Sequence, residues 1–409
     1  MAILHPFKAW RPTQDTIYEI ACVPYDVIDT DEARILAEGK PNSFLHVIRP
    51  EIDLEDSTDV HADSVYEQGR INLEKILYSG LMTQENEASV YVYRLIMDGR
   101  EQTGIFSCVS VDDYDSNVIL KHELTRPDKE DDRTRHILTQ SAHAEPVMLT
   151  YKDHEKVNTI VSSTMQERPM FDFTADDGIK HTLWKISDLS DLVQFFAEIP
   201  HLYVADGHHR CKSASRVAEY IKANGISKDS NEFEFFPAVL FPMSSMKILA
   251  YNRAIKLAYN RAIKQVSEDF LDELNLTCAL ADYVDAQPRN AGDFSVFYKG
   301  EWKTYTLPKT LGTAVADQLD VSRLSEYVLQ PILGIHDQRT DKRISFVGGI
   351  RGTSELERLV NTAKADVAFS MFATSIQELM DVSDAGELMP PKSTWFEPKL
   401  RSGLLVHTF

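Results

Sequence analysis

Between residues 146 and 241 the chain alternates apolar runs of strand length with stretches of helical pattern. That alternation constrains the fold more than any other feature. Strands are expected at 146–151, 181–186, 202–205 and 236–241, with helices at 155–167, 189–198 and 211–223 between them. Elements in this order build a sheet with helices packed on it, so the class runs from α/β to a mixed α+β arrangement. At 409 residues the chain exceeds one typical domain. The expected division is an N-terminal α+β region over 1–117, a core over 118–265, a small α+β insertion over 266–320, and a C-terminal region over 321–409 with a loop at 388–403.

Other local signals fill in the frame. Val90–Ile96 and Thr103–Val109 read as a hairpin around Asp98-Gly99, and 294–306 as a second one turning at Lys299-Gly300. A short strand at 118–120 follows. Thr30 or Asp31 caps a helix over Glu32–Glu38, closed by Gly39, and another helix covers 64–78. Val23–Ile28 reads as a strand end or turn, because Pro24 holds the preceding residue extended. Residues 126–135 are almost wholly charged and read as a solvated loop leading into a helix. The tail adds helices near 322–329, 354–363 and 375–384 and strands near 344–347 and 404–407. Leu249–Lys256 is repeated without change as Leu257–Lys264. Two copies are too few and too short for a solenoid. The first reads as the end of a strand over Lys247–Ile255, with a helix from 266, and the second as extra, loop-accommodated chain.

The densest chemistry lies at the joint after Leu202-Tyr203-Val204-Ala205. There Asp206-Gly207-His208-His209-Arg210 leads from a buried strand into a helix. Asp206 stands where an N-cap is wanted, and it could equally orient a metal or a loop histidine. Gly207 permits a tight turn and close approach to a ligand. A helix start offers unpaired N–H groups and partial positive charge, which suit a phosphate. His208, His209 and Arg210 add donors at that end.

Two further stretches carry candidate groups. Glu123, in His122-Glu123-Leu124-Thr125, sits at a strand end beside the basic residues Arg126 and Arg133, where it serves either as a general base or in a salt bridge. No histidine follows at metalloprotease spacing. Met389–Gly403 holds three prolines, an aromatic pair, Lys392, Ser393, Thr394, Lys399 and Arg401. It reads either as a rigid loop wrapping an anionic ligand or as a tail strap anchored by Trp395 and Phe396.

Composition excludes several classes. A formal net charge of −20 argues against broad nucleic-acid binding, which needs a basic footprint. No apolar run approaches membrane-span length, and the start lacks a signal-peptide pattern. Four scattered cysteines form neither a disulfide framework nor a zinc ribbon, so a reducing cytoplasm is the expected compartment. A small-molecule partner is expected, with no membrane and no nucleic acid; the sequence leaves the oligomeric state open.

Taken together, Pro24-Tyr25-Asp26-Val27-Ile28, His122-Glu123-x-Thr125, Asp131-x-Arg133, Ala205–Arg210 and Met389–Gly403 resemble a bacterial family long labelled a domain of unknown function. The Asp-Gly-His-His-Arg loop also resembles that of the free-serine kinases. That resemblance implies a ParB/sulfiredoxin-like catalytic core over 118–265, elaborated at both ends. It implies a phosphotransferase acting on L-serine or O-phospho-L-serine, with ADP or ATP as co-substrate and Mg²⁺. By the same resemblance Gly207, His208, His209 and Arg210 cradle phosphates. Glu123, Asp206 and His209 become candidate catalytic groups. His122, Thr125, Arg126, Arg133, Lys392, Ser393, Thr394, Lys399 and Arg401 become candidate substrate contacts. The reaction direction and any metal ligands stay open. So do two alternatives: a phosphoserine phosphatase-type hydrolase and a non-catalytic nucleotide-binding module.

Overall fold

The alternating apolar runs all enter one nine-stranded mixed sheet of the computed structural model, which describes residues 2–226, 228, 230–256 and 270–409. The chain divides into two units. The first comprises Met1–Lys121, Thr125–Met246 and Pro398–Phe409, and the second His122–Leu124 and Lys247–Glu397.

In the first unit the strands lie side by side in the order Ile119–Leu120, Leu202–Asp206, Val147–Tyr151, Phe235–Pro242, Arg100–Ser110, Tyr91–Met97, Lys180–Lys185 and Phe171–Thr174. Leu4–His5 pairs with Arg100–Ser110 off this path. Phe235–Pro242 runs parallel to Val147–Tyr151 but antiparallel to Arg100–Ser110, and Leu202–Asp206 is antiparallel to Val147–Tyr151. The class is therefore mixed α/β. The 91–110 hairpin lies among strands that come later in the chain, and with the antiparallel Leu202–Asp206 it makes the sheet mixed. Val147, Leu149, Leu240 and Val204 pack with Cys211, Ala214 and Val217 of the His208–Ala223 helix into one buried core. This packing fixes the end of Leu202–Asp206 against the start of that helix.

Several local expectations are corrected. The cap of the Thr30–Ala37 helix is Asp29, in a reciprocal box: Asp29 Oδ1 accepts the Glu32 N–H at 2.8 Å and Glu32 Oε2 accepts the Asp29 N–H at 2.9 Å. The charged run is itself the Pro127–Gln140 helix, with Pro127 in its first turn and Asp128 and Glu130 near the positive end of the dipole. Its buried face is Asp132, Thr134, His136 and Gln140, so no apolar stripe marks it. Of the two readings of Val23–Ile28 the turn is the one that forms, as a 3₁₀ turn over Tyr25–Val27. Of the strand expected near 404–407 only His407–Thr408 forms, pairing with Ala142–His143.

The second unit holds a six-stranded antiparallel sheet. Its order is Ala279–Leu280, Glu301–Thr306, Asp293–Tyr298, Val367–Met371, Tyr251–Ile255 and Ile344–Gly348. Leu356 of the Gly352–Asn361 helix packs with Ala254, Phe297, Val347 and Ala368 on one face. The strand expected over Lys247–Ile255 breaks at Ala250: Ile248–Leu249 pairs with Trp395–Phe396, and Tyr251–Ile255 enters the six-stranded sheet. The second octapeptide copy, 257–264, and the helix start expected at 266 lie outside the described residues. No helix among the described residues is long and apolar enough to cross a membrane.

Candidate functional site

The Leu202–Asp206 strand ends on Gly207, whose φ of 98° is the left-handed conformation that glycine adopts without strain. A Cβ there would lie 3.0 Å from Val147 Cγ1, so the turn is also sterically closed to larger residues. Gly207 is the N-cap and the helix begins at His208, so His208, His209 and Arg210 form its first turn. The Cys211 N–H makes the first intrahelical bond, to Gly207 O at 3.0 Å. The earlier N–H groups of such a turn have no intrahelical acceptor, which is the physical basis of an anion site. The cap expected of Asp206 is corrected here: no side chain caps this helix, and Asp206 Oδ2 instead accepts from Lys399 Nζ at 3.0 Å. That ion pair brings a tail cation to the loop. His209 Nε2 accepts the backbone N–H of Arg126 at 3.0 Å, which requires that nitrogen to be unprotonated. The Arg126 side chain pairs with Asp128.

Arg210 turns inward. It is buried, donates through Nη1 to Pro146 O, and has Nη2 3.9 Å from Asp26 Oδ2. Burial works against its charge, but Asp26, Glu145 and Asp206 outweigh burial and hold it protonated. Glu145 is the hub of this cluster. Its Oε1 accepts the Tyr25 N–H at 3.1 Å and the Ser402 hydroxyl at 3.0 Å. Burial raises its carboxyl above the ordinary range, while Arg210 and Arg133 pull it back. The Arg133 guanidinium lies 4.3 Å over the Tyr25 ring and pairs with Asp132 at 2.8 Å. Residues from four of the five sequence motifs thus meet at one buried carboxylate, and a cavity of about 30 Å³ lined by Arg133, His136, His143, Glu145 and Arg210 borders them.

Not every candidate gathers here. Arg401 pairs with Asp177 and donates through Nε to His181 Nε2 at 3.2 Å. It borders a cavity of about 230 Å³ with Tyr18, Cys22 and Phe173. The Thr125 hydroxyl donates to Glu130. His122, Glu123, Lys392, Ser393 and Thr394 belong to the second unit. There the Met389 N–H donates to His122 O at 2.8 Å, and Ser393 O accepts from Thr374 Oγ1 at 3.1 Å. Sequence reasoning missed Glu145 and Arg253. Glu145 carries no local signal, since its partners lie far along the chain. Arg253 did carry one: period-2 alternation sets it on the face of Tyr251 and Ile255, an odd place for a cation.

A family model described as a protein of unknown function, DUF1015, matches residues 4–322. The chain belongs to this family. The resemblance drawn from the motifs is thereby supported. No curated protein matches the chain. Among solved structures it is similar to a free serine kinase in complex with AMP, at 14% identity and TM-score 0.36, covering 71% of this chain and 86% of that one. It is similar to SbnI with a C-terminal truncation from Staphylococcus aureus, at 15% identity and TM-score 0.40, covering 73% and 85%. A conserved hypothetical protein from Pyrococcus furiosus gives 16% and 0.35, covering 71% and 90%. At these scores the likeness carries no argument about chemistry.

Two predictions follow from the buried cluster. Replacing Glu145 with Ala leaves Arg210 and Arg133 without their shared anion and strands the Tyr25 N–H. The loss is about 3–5 kcal/mol, read as a lowered urea midpoint for the first unit. The second concerns acid. Burial lowers the pKa of His136 to about 3 and holds His143 and His181 well below the ordinary value. Unfolded histidines take up a proton near pH 6.5 while these three stay neutral, so stability falls as pH drops below that point. Each contributes a slope of about 1.4 kcal/mol per pH unit. Glu145, Asp113 and His46, all raised, act with opposite sign, while His407, lowered by burial like the three, adds to the fall. Urea midpoints at pH 7.5, 6 and 5 should fall, and His136→Gln should flatten the slope.

Proposed function

We propose that this protein is a phosphotransferase that passes a phosphoryl group between a nucleotide and L-serine, in either direction. The observation that carries the reading is the Gly207-initiated helix, with Lys399 salt-bridged to Asp206 at its start and Arg210 anchored beneath it. Phosphoryl transfer asks chiefly for positioning and charge neutralisation. A helix start offers both, since its N–H groups are fixed in direction and carry partial positive charge. The buried Arg210–Glu145–Arg133 cluster holds that start fixed. Serine and nucleotide are taken from the resemblance of the Asp206–Arg210 loop to the free-serine kinases. In the kinase direction the serine Oγ attacks the terminal phosphorus of ATP, its proton passes to a base, and the P–O bond to ADP breaks. Glu123 is the proposed base. It stands three residues before Arg126, whose N–H is held by His209. A divalent ion such as Mg²⁺ fits the first unit's side of the loop poorly as it stands, because Asp206 is already engaged by Lys399. No step is routed through a metal.

The test is turnover of O-phospho-L-serine with and without ADP and Mg²⁺, following free serine, ATP and inorganic phosphate. Equal amounts of serine and ATP, formed only with ADP, support the reading. Serine with inorganic phosphate and no need for ADP makes the protein a hydrolase. Nucleotide-dependent stabilisation without turnover makes it a binding module. Glu123→Gln keeps shape but cannot take the proton, so turnover should fall about 10²–10⁴-fold with nucleotide affinity kept. Near-native turnover would move the base elsewhere.

A further inference from the structure

Arg253 lies in the Tyr251–Ile255 strand of the second unit's sheet, flanked on both sides, and is 0% exposed. Its registered neighbours are Phe346 on one strand and Phe369 on the other. Nη1 donates to the Tyr251 carbonyl, and the guanidinium carbon sits 5.5 Å from the Phe346 ring. Among the described residues Nε and Nη2 have no acceptor. Among the described residues no carboxylate pairs with this guanidinium. Burial lowers its pKa to about 10, although the Tyr251 hydroxyl pulls the other way.

The energetics do not balance without an anion. Desolvating a guanidinium costs several kcal/mol even after relaxation. One carbonyl and one ring face return about 1–3 kcal/mol together. The geometry of what is unused is informative. Nε–H and Nη2–H form one edge of the guanidinium fork, two parallel donors spaced to meet two oxygens of a carboxylate or phosphate. Nη1, on the other edge, is spent orienting the group. A second cation stands close by: Lys392 Nζ lies 5.5 Å over the Tyr251 ring. The Trp395 ring is edge-on to Tyr251 at 5.2 Å and lies over Gly348, where a Cβ would come within 2.6 Å of it. The Pro390–Trp395 strap therefore covers the end of the strand toward which the guanidinium reaches.

We propose that Arg253 is the floor of an oxyanion site in the second unit, taking the carboxylate or phosphate of a small molecule in a bidentate bond. Lys392 is the second positive group, and the strap lifts to admit the ligand. This does not depend on the phosphoryl-transfer reading, since it concerns binding by a different unit. The test is thermal unfolding of the full chain in sodium phosphate, sodium acetate and sodium chloride at equal ionic strength. The parent should be stabilised by phosphate or acetate over chloride, and the larger shift names the source. Arg253→Met should be as stable as the parent in chloride, because an uncompensated buried cation has gone, yet lose at least half of the oxyanion shift. Arg253→Lys keeps the charge without the fork and should lose most of it too, which decides the matter should the Met variant fail to fold. No oxyanion shift in the parent, or the full parental shift in Arg253→Lys, overturns the proposal.

Discussion

The first unit depends on one buried carboxylate. Glu145 draws the Tyr25 backbone from one side and the Ser402 hydroxyl from the other, and acts electrostatically on Arg210 and Arg133. Such a cluster is weak evidence for stability, because desolvation offsets most of its attraction. Its value here is positional. Core packing sets the start of the His208–Ala223 helix against the end of Leu202–Asp206, and the inward-turned Arg210, tied to Pro146 O, adds a polar anchor there. A site that works by alignment needs such a support.

The two units treat their buried arginines in opposite ways. Arg210 is surrounded by Asp26, Glu145 and Asp206, which together hold its charge. Among the described residues Arg253 has only a carbonyl and an aromatic ring face. Arg210 has its charge balanced and only Nε without an acceptor, whereas Arg253 has no balancing carboxylate among the described residues and keeps both donors of one edge unspent. The family match ends at residue 322, yet Lys399 and Ser402, beyond it, both reach the first unit's cluster. The tail thus joins the loop in one contact network.

Much of the sheet was legible because it rests on local rules. Apolar runs such as Val147–Tyr151 and Phe235–Pro242 are buried along nearly their whole length, and Asp98-Gly99 and Lys299-Gly300 sit at the hairpin turns. Phe171–Thr174 escaped notice because four residues alternating with exposed Asp172 and Thr174 are too few to stand out. The Pro127–Gln140 helix was hidden because its inner face is polar, with Asp132 and Gln140 reaching Tyr66 and Val47, which no local window contains. The same holds for the site. The Asp206–Arg210 string announced itself, but which of its members faces outward was settled by Asp26, Pro146 and Lys399, each distant in sequence.

The threading of the tail also bears on the order in which the molecule can be made. Residues 398–409 belong to the first unit, while 247–397 form the second. During synthesis the amino-terminal sheet is therefore exposed with His143 lacking its strand partner His407, and with Asp206 and Glu145 lacking Lys399 and Ser402, until a whole further unit has been translated. Chains generally fold from the amino end as they emerge. Here that progression stops short: the helix start beside Gly207 acquires its last supports only after the ribosome has passed residue 402. A nascent or prematurely terminated chain would carry the Gly207 loop without the Lys399 and Ser402 contacts.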